Sequence, residues 1–502
     1  MSPTPPPSRF RAFIQKFTAL RTAPRELWVV YAAYVLENIA YGVGASSVLT
    51  LWLSSDLGYG DRKAGATIAI YSTLMSLMTV LVGSLTDAAG IRRTFLLGFW
   101  ICLFSRIIMT ASVSPTVALP FGLYLQALGL ALMVPVMTAA MKRYSTAAQR
   151  SMAFALYYAL QNLGFAIAGY MFDHIRNGLG EHGSWTIPAV GAELSTYRVL
   201  ILLSVVFTVP GLILTWFFLR EGVEMTESGP YVPEQKVERS RGEAPFIALW
   251  RTIRETAIRT GQIFVALWKQ PSLYRFLVFM SLVIGVKLIV YHMYFTFPKF
   301  GLRELGEGAP IGRLYTVLNP LLIVLLVPIC GALTQKISAY RMVMVGSFIA
   351  ASSVFFLALP PLWFKPLADG WLGHWIAHKW LGIPGEVNPL YVSICLFVVL
   401  DSIGEALWTP RLFEYAAAIA PKGQEASYMA ISVLPYFVAK FVVGSMSGFL
   451  LERYCPAEGP RDSTFMWFII GCMAMVTPIG TFLLRRYIQV QESGREPEVS
   501  KS

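Results

Sequence analysis

The chain has 502 residues, of which 55% are hydrophobic and only 14% are charged. Soluble globular proteins carry roughly 25% charged residues, so the composition excludes that class and indicates a membrane protein. The net charge of +12 does not indicate a nucleic-acid-binding protein, because the basic residues lie in short clusters between apolar runs and form no continuous face.

Apolar runs of about 20 residues, the length that crosses a bilayer, recur along the whole chain. They begin near residues 28, 64, 94, 116, 151, 196, 273, 312, 341, 390, 427 and 464. The sequence therefore predicts an all-α membrane protein with about twelve transmembrane helices. Basic residues cluster in the connections that would share one side, so the positive-inside rule places both termini in the cytoplasm.

A long polar connection divides the chain into two halves of six helices each. The predicted order is a cytoplasmic tail over residues 1–27, a helical bundle over 28–219, a cytoplasmic linker over 220–272, a second bundle over 273–486 and a tail over 487–502. The first tail lacks the apolar core and cleavage site of a signal peptide. The linker segment "FIALWRTIRETAIRTGQIFVALWK" separates apolar from basic faces and predicts a helix lying on the inner membrane surface.

The sequence gives little support for a metal site or for a disulfide. The five cysteines form no Cys-x-x-Cys pair, and four of them lie inside apolar runs. In "WLGHWIAHKW", His374 and His378 are one helical turn apart, a spacing that could hold a metal. The flanking tryptophans and the lack of a nearby carboxylate favour an interfacial helix instead. We therefore expect neither a metal nor a cofactor.

A repeated segment links the two halves. "GSLTDAAGIRR" at residues 83–93 follows the second predicted helix, and "GALTQKISAYR" at residues 331–341 follows the eighth. Each half therefore carries Gly-x-Leu-Thr at the same place. Internal duplication of this kind is typical of transporter folds in which two halves move around a central site.

The first of these segments resembles the signature of the major facilitator superfamily, Gly-x-x-x-Asp-basic-x-Gly-basic-basic between helices two and three. Gly83, Asp87, Gly90 and Arg92 fit that signature, while two expected basic residues are replaced. The resemblance implies the major facilitator fold and a gating role for Asp87 and Arg92. From the residues alone, an acid beside basic residues at a helix junction could equally be a solvated surface ion pair.

Two further segments resemble the proton-coupled oligopeptide transporter branch of that superfamily. "RSMAFALYYALQNLG", residues 150–164, is similar to its fifth-helix signature, and "GEALWTPRLFEYAAAIAPKG", which begins at residue 404, is similar to its tenth-helix signature. The matching positions in the first are Tyr157, Tyr158, Asn162 and Gly164. Those in the second are Gly404, Glu405, Pro410, Leu412, Glu414, Ala420, Pro421 and Lys422.

The charge pattern departs from that branch at the first and fourth helices. The first-helix motif Glu-x-x-Glu-Arg, which the branch associates with proton coupling, appears here as Tyr34, Glu37 and Asn38. A lysine expected before the fourth-helix proline is replaced by Val134. The resemblance therefore implies proton-coupled transport but leaves transport of peptides open.

A layer of polar and charged side chains falls near the middle of the predicted helices, at a rise of ~1.5 Å per residue. A charge at that depth costs roughly 3 kcal/mol or more, so these side chains should face the interior of the protein and find partners. They could form a central site or ion pairs that hold helices together. The members are Glu37, Arg106, Gln161, Asn162, Lys287, Asp401, Glu405 and Lys440.

Asp401 and Glu405 are the most informative members of this layer. Four residues apart, they share one face of a helix, and in a low dielectric two adjacent carboxylates do not both ionise readily. Lys287, Lys440 or a substrate amine could supply the neutralising cation. We therefore predict that Glu37, Asp401, Glu405 and Lys287 couple transport to protons.

Candidate substrate contacts come from the same layer and from aromatic residues beside it. By its match to the tenth-helix signature, Glu405 resembles the residue that meets a substrate amino group in the peptide transporters. Trp408 would add an aromatic wall, whereas aromatic stripes such as that of helix one are also typical of packing. The full set of predicted substrate contacts is Tyr34, Glu37, Tyr41, Tyr158, Asn162, Lys287, Glu405, Trp408 and Lys440.

The sequence thus predicts a proton-coupled secondary transporter that moves a small organic solute, amine-bearing, zwitterionic or peptide-like, by alternating access. One alternative is a proton/solute antiporter that exports lipophilic cations or drugs, and another is a transport-inactive receptor or scaffold. No motif of a hydrolase, metalloprotease or nucleotide-binding enzyme is found in the sequence. We expect a monomer in the inner or plasma membrane, with the solute, protons and the lipid bilayer as partners and no nucleic acid.

Overall fold

The computed structural model describes residues 19–46, 48–188, 191–226, 229–231, 251, 254, 258, 271–334, 337–419 and 434–488. Within these ranges the side chains of some residues, including 80–89 and 413–414, are not described. The interfacial helix predicted in the linker falls on residues that are almost all outside it.

The first half of the chain folds into seven α-helices over the described residues. In chain order they are α1 Arg25–Tyr41, α2 Val48–Ser55, α3 Asp61–Ala89, α4 Ile91–Ala111, α5 Leu125–Arg143, α6 Ala147–Leu179 and α7 Thr196–Phe218. Short helical turns precede or join them at Ala19–Thr22, Gly42–Ser46, Pro115–Val117 and Ala118–Tyr124.

The second half has a similar succession of long helices. They are α8 Pro271–Phe295, α9 Phe297–Leu305, α10 Leu318–Leu333, α11 Ala339–Ser353, α12 Pro389–Ile419, α13 Leu434–Tyr454 and α14 Ser463–Leu483. A π-helical turn, Gly312–Val317, leads into α10. The remaining short turns are Phe355–Ala358, Pro361–Phe364, Lys365–Ala368, Trp371–His374, Trp375–Leu381 and Arg485–Ile488.

Two small antiparallel hairpins, which the sequence analysis did not predict, lie in connections between helices. Strand β1 (Ser184–Thr186) pairs with β2 (Glu193–Ser195) just before α7, in a register that sets Trp185 opposite Leu194. Strand β3 (Glu224–Thr226) pairs with β4 (Gly229–Tyr231) after α7. With only three residues per strand, neither hairpin changes the helical character of the fold.

Ten stretches of the described residues are helical, long and apolar enough to cross a membrane. They include Arg25–Ser55, in which α1 and α2 are joined through a π turn, and Gly312–Gly331, in which a π turn leads into α10. Helices α3 and α13 have 29 and 21 residues and also reach the length of a span. The predicted all-α membrane protein is confirmed, while the count of twelve spans and the side of the termini stay predictions.

Capping chemistry sets the start and end of several helices. The Thr146 hydroxyl accepts the backbone N–H of Gln149, and the Gln149 side chain accepts the N–H of Thr146, which forms a capping box before α6. The same helix ends at Gly180, whose φ of 81° lies in the left-handed region. The Ser195 hydroxyl accepts the N–H of Arg198 at the start of α7. These local signals are readable in the sequence.

The predicted His374–His378 segment is helical, and its two imidazole rings are 5.2 Å apart. Trp371 beside them is 80% exposed. No group of three or more His, Cys, Asp or Glu side chains placed to hold a metal occurs in the part of the chain that the structure describes. The interfacial position of this segment stays a prediction.

Helices α3 and α13 bring the two halves into close contact through glycines. A Cβ atom added at Gly444 would lie 2.6 Å from the Cα atom of Ala69, and one added at Gly65 would lie 2.6 Å from the carbonyl oxygen of Gly444. Small residues allow membrane helices to approach closely enough for extensive dispersion contact. The α3–α13 contact is therefore one of the places where the halves are packed against each other.

We expect Gly444→Ala to destabilise the protein by about 1–3 kcal/mol, because the added methyl group has no room between the two backbones. The matched control is Gly331→Ala in α10, where an added Cβ atom meets nothing within 4 Å. There the substitution should be neutral or stabilising by about 0.5–1 kcal/mol, because alanine favours a helix over glycine. Thermal unfolding in detergent measures both, and equal effects would contradict close packing at Gly444.

Candidate functional site

A cavity of about 270 Å³ lies between the two halves, near the middle of the long helices. Helix α6 of the first half contributes one wall, and α8, α10, α12 and α13 of the second half contribute the others. The wall is rich in aromatic residues: Tyr158, Phe165, Tyr291, Tyr294, Tyr315 and Tyr436. The polar members are Gln161, Asn162, Lys287, Asn319, Glu405 and Thr409.

The cavity brings together part of the predicted substrate-contact set. Tyr158, Asn162, Lys287 and Glu405 line it, as the sequence analysis expected. Trp408 and Lys440 do not line it but contact residues that do. A role in binding stays a prediction for all of them.

Several of the tyrosines that line the cavity are not in the predicted set of substrate contacts. Tyr291 and Tyr294 lie four and seven residues after Lys287 in α8, and Tyr436 lies four residues before Lys440 in α13. These spacings place them on the same helix faces as the two lysines. The signal was therefore present in the sequence, but it is the same pattern that packed aromatic stripes produce.

An amide side chain of α10 holds one member of the carboxylate pair of α12. The Asn319 side-chain N–H₂ donates to the Ser402 hydroxyl at 3.0 Å and to Oε2 of Glu405 at 3.3 Å. Asp401 is 3% exposed, and its Oδ2 has no hydrogen-bond partner among the described residues. One carboxylate is thus anchored by a neutral donor, while the other keeps an acceptor free in a buried place.

Lys287 lies beside this pair and against two aromatic rings. Its Nζ is 4.6 Å from the ring centre of Trp408 and 5.6 Å from that of Tyr436, within the range of cation–π attraction. Glu405 and Asp401 also interact with it electrostatically. Trp408 is almost fully buried, so it supports Lys287 from behind and is not a wall of the cavity.

Glu37 forms an ion pair inside the first half, one of the two arrangements that the sequence left open for the polar layer. Both of its oxygens accept hydrogen bonds from Arg106, at 2.5 Å from Nη2 and 3.0 Å from Nη1, and Arg106 also donates to the Thr208 hydroxyl. Arg106 is fully buried and Glu37 nearly so. The ion pair joins α1 to α4, and the bond to Thr208 adds α7. Because hydrocarbon supplies no counter-charge, each of the two charged side chains neutralises the other.

Tyr34, Glu37 and Tyr41 are not among the residues that line this cavity. Tyr34 stacks on Tyr157 with ring centres 4.6 Å apart, and Tyr41 packs edge-on against Phe165 at 6.0 Å. Only Phe165 of these rings belongs to the cavity wall. A substrate-binding role for Tyr34 and Tyr41 and a proton-carrying role for Glu37 stay predictions.

Of the predicted gating pair, the structure describes the side chain of Arg92 only. Arg92 donates from Nη2 to the backbone carbonyl oxygen of Trp216 at 2.7 Å, which ties the start of α4 to the end of α7. Its neighbour Arg93 pairs with Glu221 at 2.9 Å. The side chain of Asp87 lies outside the described residues, so a gating role for Asp87 and Arg92 stays a prediction.

Ion pairs join the two halves at the end of the bundle where α3 begins and α6 ends, which we call the bridged end. Asp61 of α3 accepts from Lys299 at 2.6 Å and from Arg303 at 2.8 and 2.9 Å, both on α9. Burial lowers the pKa of Lys299, and the carboxylate of Asp61 opposes that shift. The charges were visible in the sequence, but nothing there paired α3 with α9.

A second contact at the bridged end uses backbone donors. The Asp173 carboxylate of α6 accepts the N–H groups of Gly312 at 2.8 Å and Arg313 at 2.6 Å, at the start of the π turn before α10. A negative charge at this position is favoured by the exposed N–H groups of a helix start. Arg176 pairs with Asp173 and with Glu181 nearby. Burial alone would raise the pKa of Glu181, but Arg176 lowers it below the usual value.

We expect Arg106→Met to cost about 3–5 kcal/mol of stability, because it leaves the Glu37 carboxylate buried without a counter-charge. The double variant Glu37→Gln with Arg106→Met removes both charges and should recover a large part of that loss. Thermal unfolding in detergent compares the two. A double variant as unstable as Arg106→Met alone would contradict the assignment of an ion pair whose main cost is unpaired charge.

Comparison with known proteins agrees with this architecture. A POT family transporter crystallised with 5-aminolevulinic acid shares 17% sequence identity with the chain, covering 94% of this chain and 100% of that one with a TM-score of 0.64. A peptide transporter POT in complex with sulfate shares 18% identity over 94% and 98% of the two chains, with a TM-score of 0.64. The POT family transporter PepTSo shares 18% identity over 93% of this chain and 99% of that one, with a TM-score of 0.64.

At these identities the likeness shows a shared fold, and in that fold the chain resembles the POT branch. The sequence profile of the Major Facilitator Superfamily matches residues 30–431, most of the chain. That match agrees with the helical spans in two halves and with the cavity between them. The chain belongs to the Major Facilitator Superfamily and is a multi-pass membrane transporter.

Proposed function

We propose that the protein is a proton-coupled secondary active transporter that moves a small organic solute, amine-bearing, zwitterionic or peptide-like, by alternating access. The observation that carries this proposal is the pair Asp401 and Glu405 beside Lys287 at a cavity between the two halves. We further propose that it acts as a monomer in the inner or plasma membrane, with both termini in the cytoplasm.

Coupling follows from competition for the two carboxylates. Asp401 and Glu405 share a helix face in a low dielectric, so one proton shared between them lowers their repulsion. Lys287 or the amine of a solute can take the place of that proton. Binding of one cation then changes the affinity for the others, which is the thermodynamic requirement for coupling.

The size of the cavity favours a small solute. Sites for drug-sized ligands usually enclose ~300–1,000 Å³, whereas this cavity has about 270 Å³. The wall of the cavity also carries many polar side chains for a cavity of this volume. Both properties support an amino-acid-like or short peptide-like solute and count against the export of large lipophilic cations.

The printed ligands of structural relatives are compatible with this class. One POT family transporter was crystallised with 5-aminolevulinic acid and another with a thioalcohol conjugated peptide. Each ligand bears or can bear an amine and a carboxylate. We propose solutes of the same chemical type for this chain, on the basis of the carboxylates and lysines at its own cavity.

Alternating access would require the contacts at the bridged end to break. If the termini are cytoplasmic, α3 begins and α6 ends on the side away from the cytoplasm. The ion pairs of Asp61 with Lys299 and Arg303 would then hold the structure shut on that side. Opening would separate α3 from α9 while the α3–α13 contact serves as a point of rotation.

We expect Asp401→Asn and Glu405→Gln each to reduce proton-driven uptake by about tenfold or more, because each removes an ionisable partner of the proton. The measurement is uptake of labelled amino acids, dipeptides and 5-aminolevulinic acid into proteoliposomes with an imposed pH gradient. Asp369→Asn, which removes an exposed carboxylate from the pair with Lys365, is the matched control and should leave uptake unchanged.

Wild-type uptake that ignores the pH gradient would contradict proton coupling. Full gradient-driven uptake by both acid variants would move the coupling site away from α12. No uptake of any compound would favour the receptor or scaffold alternative. Counterflow exchange without a gradient separates loss of coupling from loss of binding.

We expect Asp61→Asn to shift the protein toward states in which the bridged end is open, because it removes the shared partner of buried Lys299 and half-buried Arg303. Spin labels at His182→Cys and Glu307→Cys would report the opening, since these exposed residues lie in opposite halves with side chains 3.4 Å apart. The label separation should lengthen in Asp61→Asn.

The matched control for that experiment is Glu452→Gln. Glu452 and Arg62 also pair between α13 and α3 at 2.6 Å, but their side chains are 49% and 66% exposed. Exposed pairs contribute little, so the distance distribution should not change. An unchanged distribution in Asp61→Asn would contradict its role in holding the bridged end.

A further inference from the structure

Lys440 of α13, which the sequence places near mid-membrane, has no charged partner among the residues that the structure describes. Its Nζ donates to the Ser76 hydroxyl at 3.4 Å and lies 5.8 Å from the ring centre of Tyr291. No described carboxylate forms an ion pair with it. Because an ionisable group at this depth is costly, one that lacks an internal counter-ion is a candidate for contact with a ligand.

The other charges of the mid-membrane layer are already engaged. Arg106 is paired with Glu37, and Lys287 interacts with Asp401 and Glu405. If the two carboxylates of α12 share one proton, Lys287 balances their remaining charge. Lys440 is then left as one unbalanced positive charge in the described part of the layer.

A second donor lies at the cavity wall, one helical turn before Lys440. Tyr436 is four residues earlier in α13, on the same helix face, and it lines the cavity. Its hydroxyl is buried and has no hydrogen-bond partner among the residues that the structure describes. Tyr291, whose ring lies near the Lys440 ammonium, lines the cavity too. An unpaired hydroxyl thus lies at the cavity wall, and the Lys440 ammonium lies behind that wall, against the ring of Tyr291.

We propose that Lys440 and the Tyr436 hydroxyl bind the carboxylate of the transported solute. A carboxylate accepts hydrogen bonds from both donors, and the charge of Lys440 makes its bond a strong one. The amine of the same solute would lie toward Glu405, so α12 and α13 would hold its two ends. This inference rests on the proposed function and assigns to the two lysines different tasks: Lys287 balances the acid pair, and Lys440 selects an anionic group.

The test compares free acids with their amides. Thermal stabilisation of the purified protein is measured with glycine, β-alanine, alanylalanine and 5-aminolevulinic acid, and with the carboxamide of each. An amide keeps the amine and nearly the same shape but lacks the negative charge. The wild-type protein should be stabilised by at least one acid and bind its amide about tenfold or more weakly.

Three variants locate the effect. Lys440→Gln should abolish the preference for the acid, Lys440→Arg should retain part of it, and Tyr436→Phe should weaken it to a smaller extent. Lys63→Gln removes a lysine at the start of α3, where its Nζ lies over Tyr59, and should keep the full preference. Without solute, Lys440→Gln should melt at the same temperature as wild type or higher, because it removes an unbalanced charge.

The outcomes separate this inference from the function on which it rests. An acid and its amide that bind equally, or a preference that survives Lys440→Gln, would overturn the role of Lys440 while leaving transport of amines intact. A marked fall in the melting temperature of solute-free Lys440→Gln would make Lys440 a structural residue. Stabilisation by no member of the panel would instead contradict the proposed solute class itself.

Discussion

The cost of charge in hydrocarbon is the constraint on which the rest of this structure depends. Each ionisable side chain at mid-membrane has to be neutralised, hydrogen-bonded or reserved for a ligand. The chain uses different solutions in its two halves. In the first half, Glu37 and Arg106 satisfy each other within one bundle of helices. In the second half, Glu405 and Lys287 line the cavity and Asp401 lies one helical turn before Glu405; in the proposed mechanism a proton or a solute changes the charge balance there.

This division gives the halves different physical characters. A bidentate ion pair with a hydroxyl in support holds α1, α4 and α7 in one arrangement. For Asp401 and Glu405, which share a helix face, the proposed mechanism requires more than one arrangement, because a proton, Lys287 and a solute amine would compete for them. The proposed mechanism therefore assigns the groups whose charge varies during a transport cycle to the second half.

The contacts between the halves are also of two kinds. Glycines in α3 and α13 bring backbones together without directional bonds, a contact that can tolerate a small rotation. At the bridged end, by contrast, Asp61 and Asp173 accept specific hydrogen bonds from the other half. Such bonds either form or break, which suits a transition between discrete states.

The sequence by itself determined the features that depend on local periodicity and on composition. Apolar length predicted the membrane spans, and a spacing of four residues placed Asp401 and Glu405 on one face, because a helix repeats every 3.6 residues. The signatures around Asn162 and Glu405 identified two residues that line the cavity. Packing between distant helices decided the rest. The rotation of α1 turned Glu37 toward Arg106, and the meeting of α8, α10 and α13 assembled Tyr291, Tyr315 and Tyr436 around one space. The partner of a charge depends on which helices become neighbours, and helix neighbours are set by side-chain packing over the whole bundle, which no short stretch of sequence encodes.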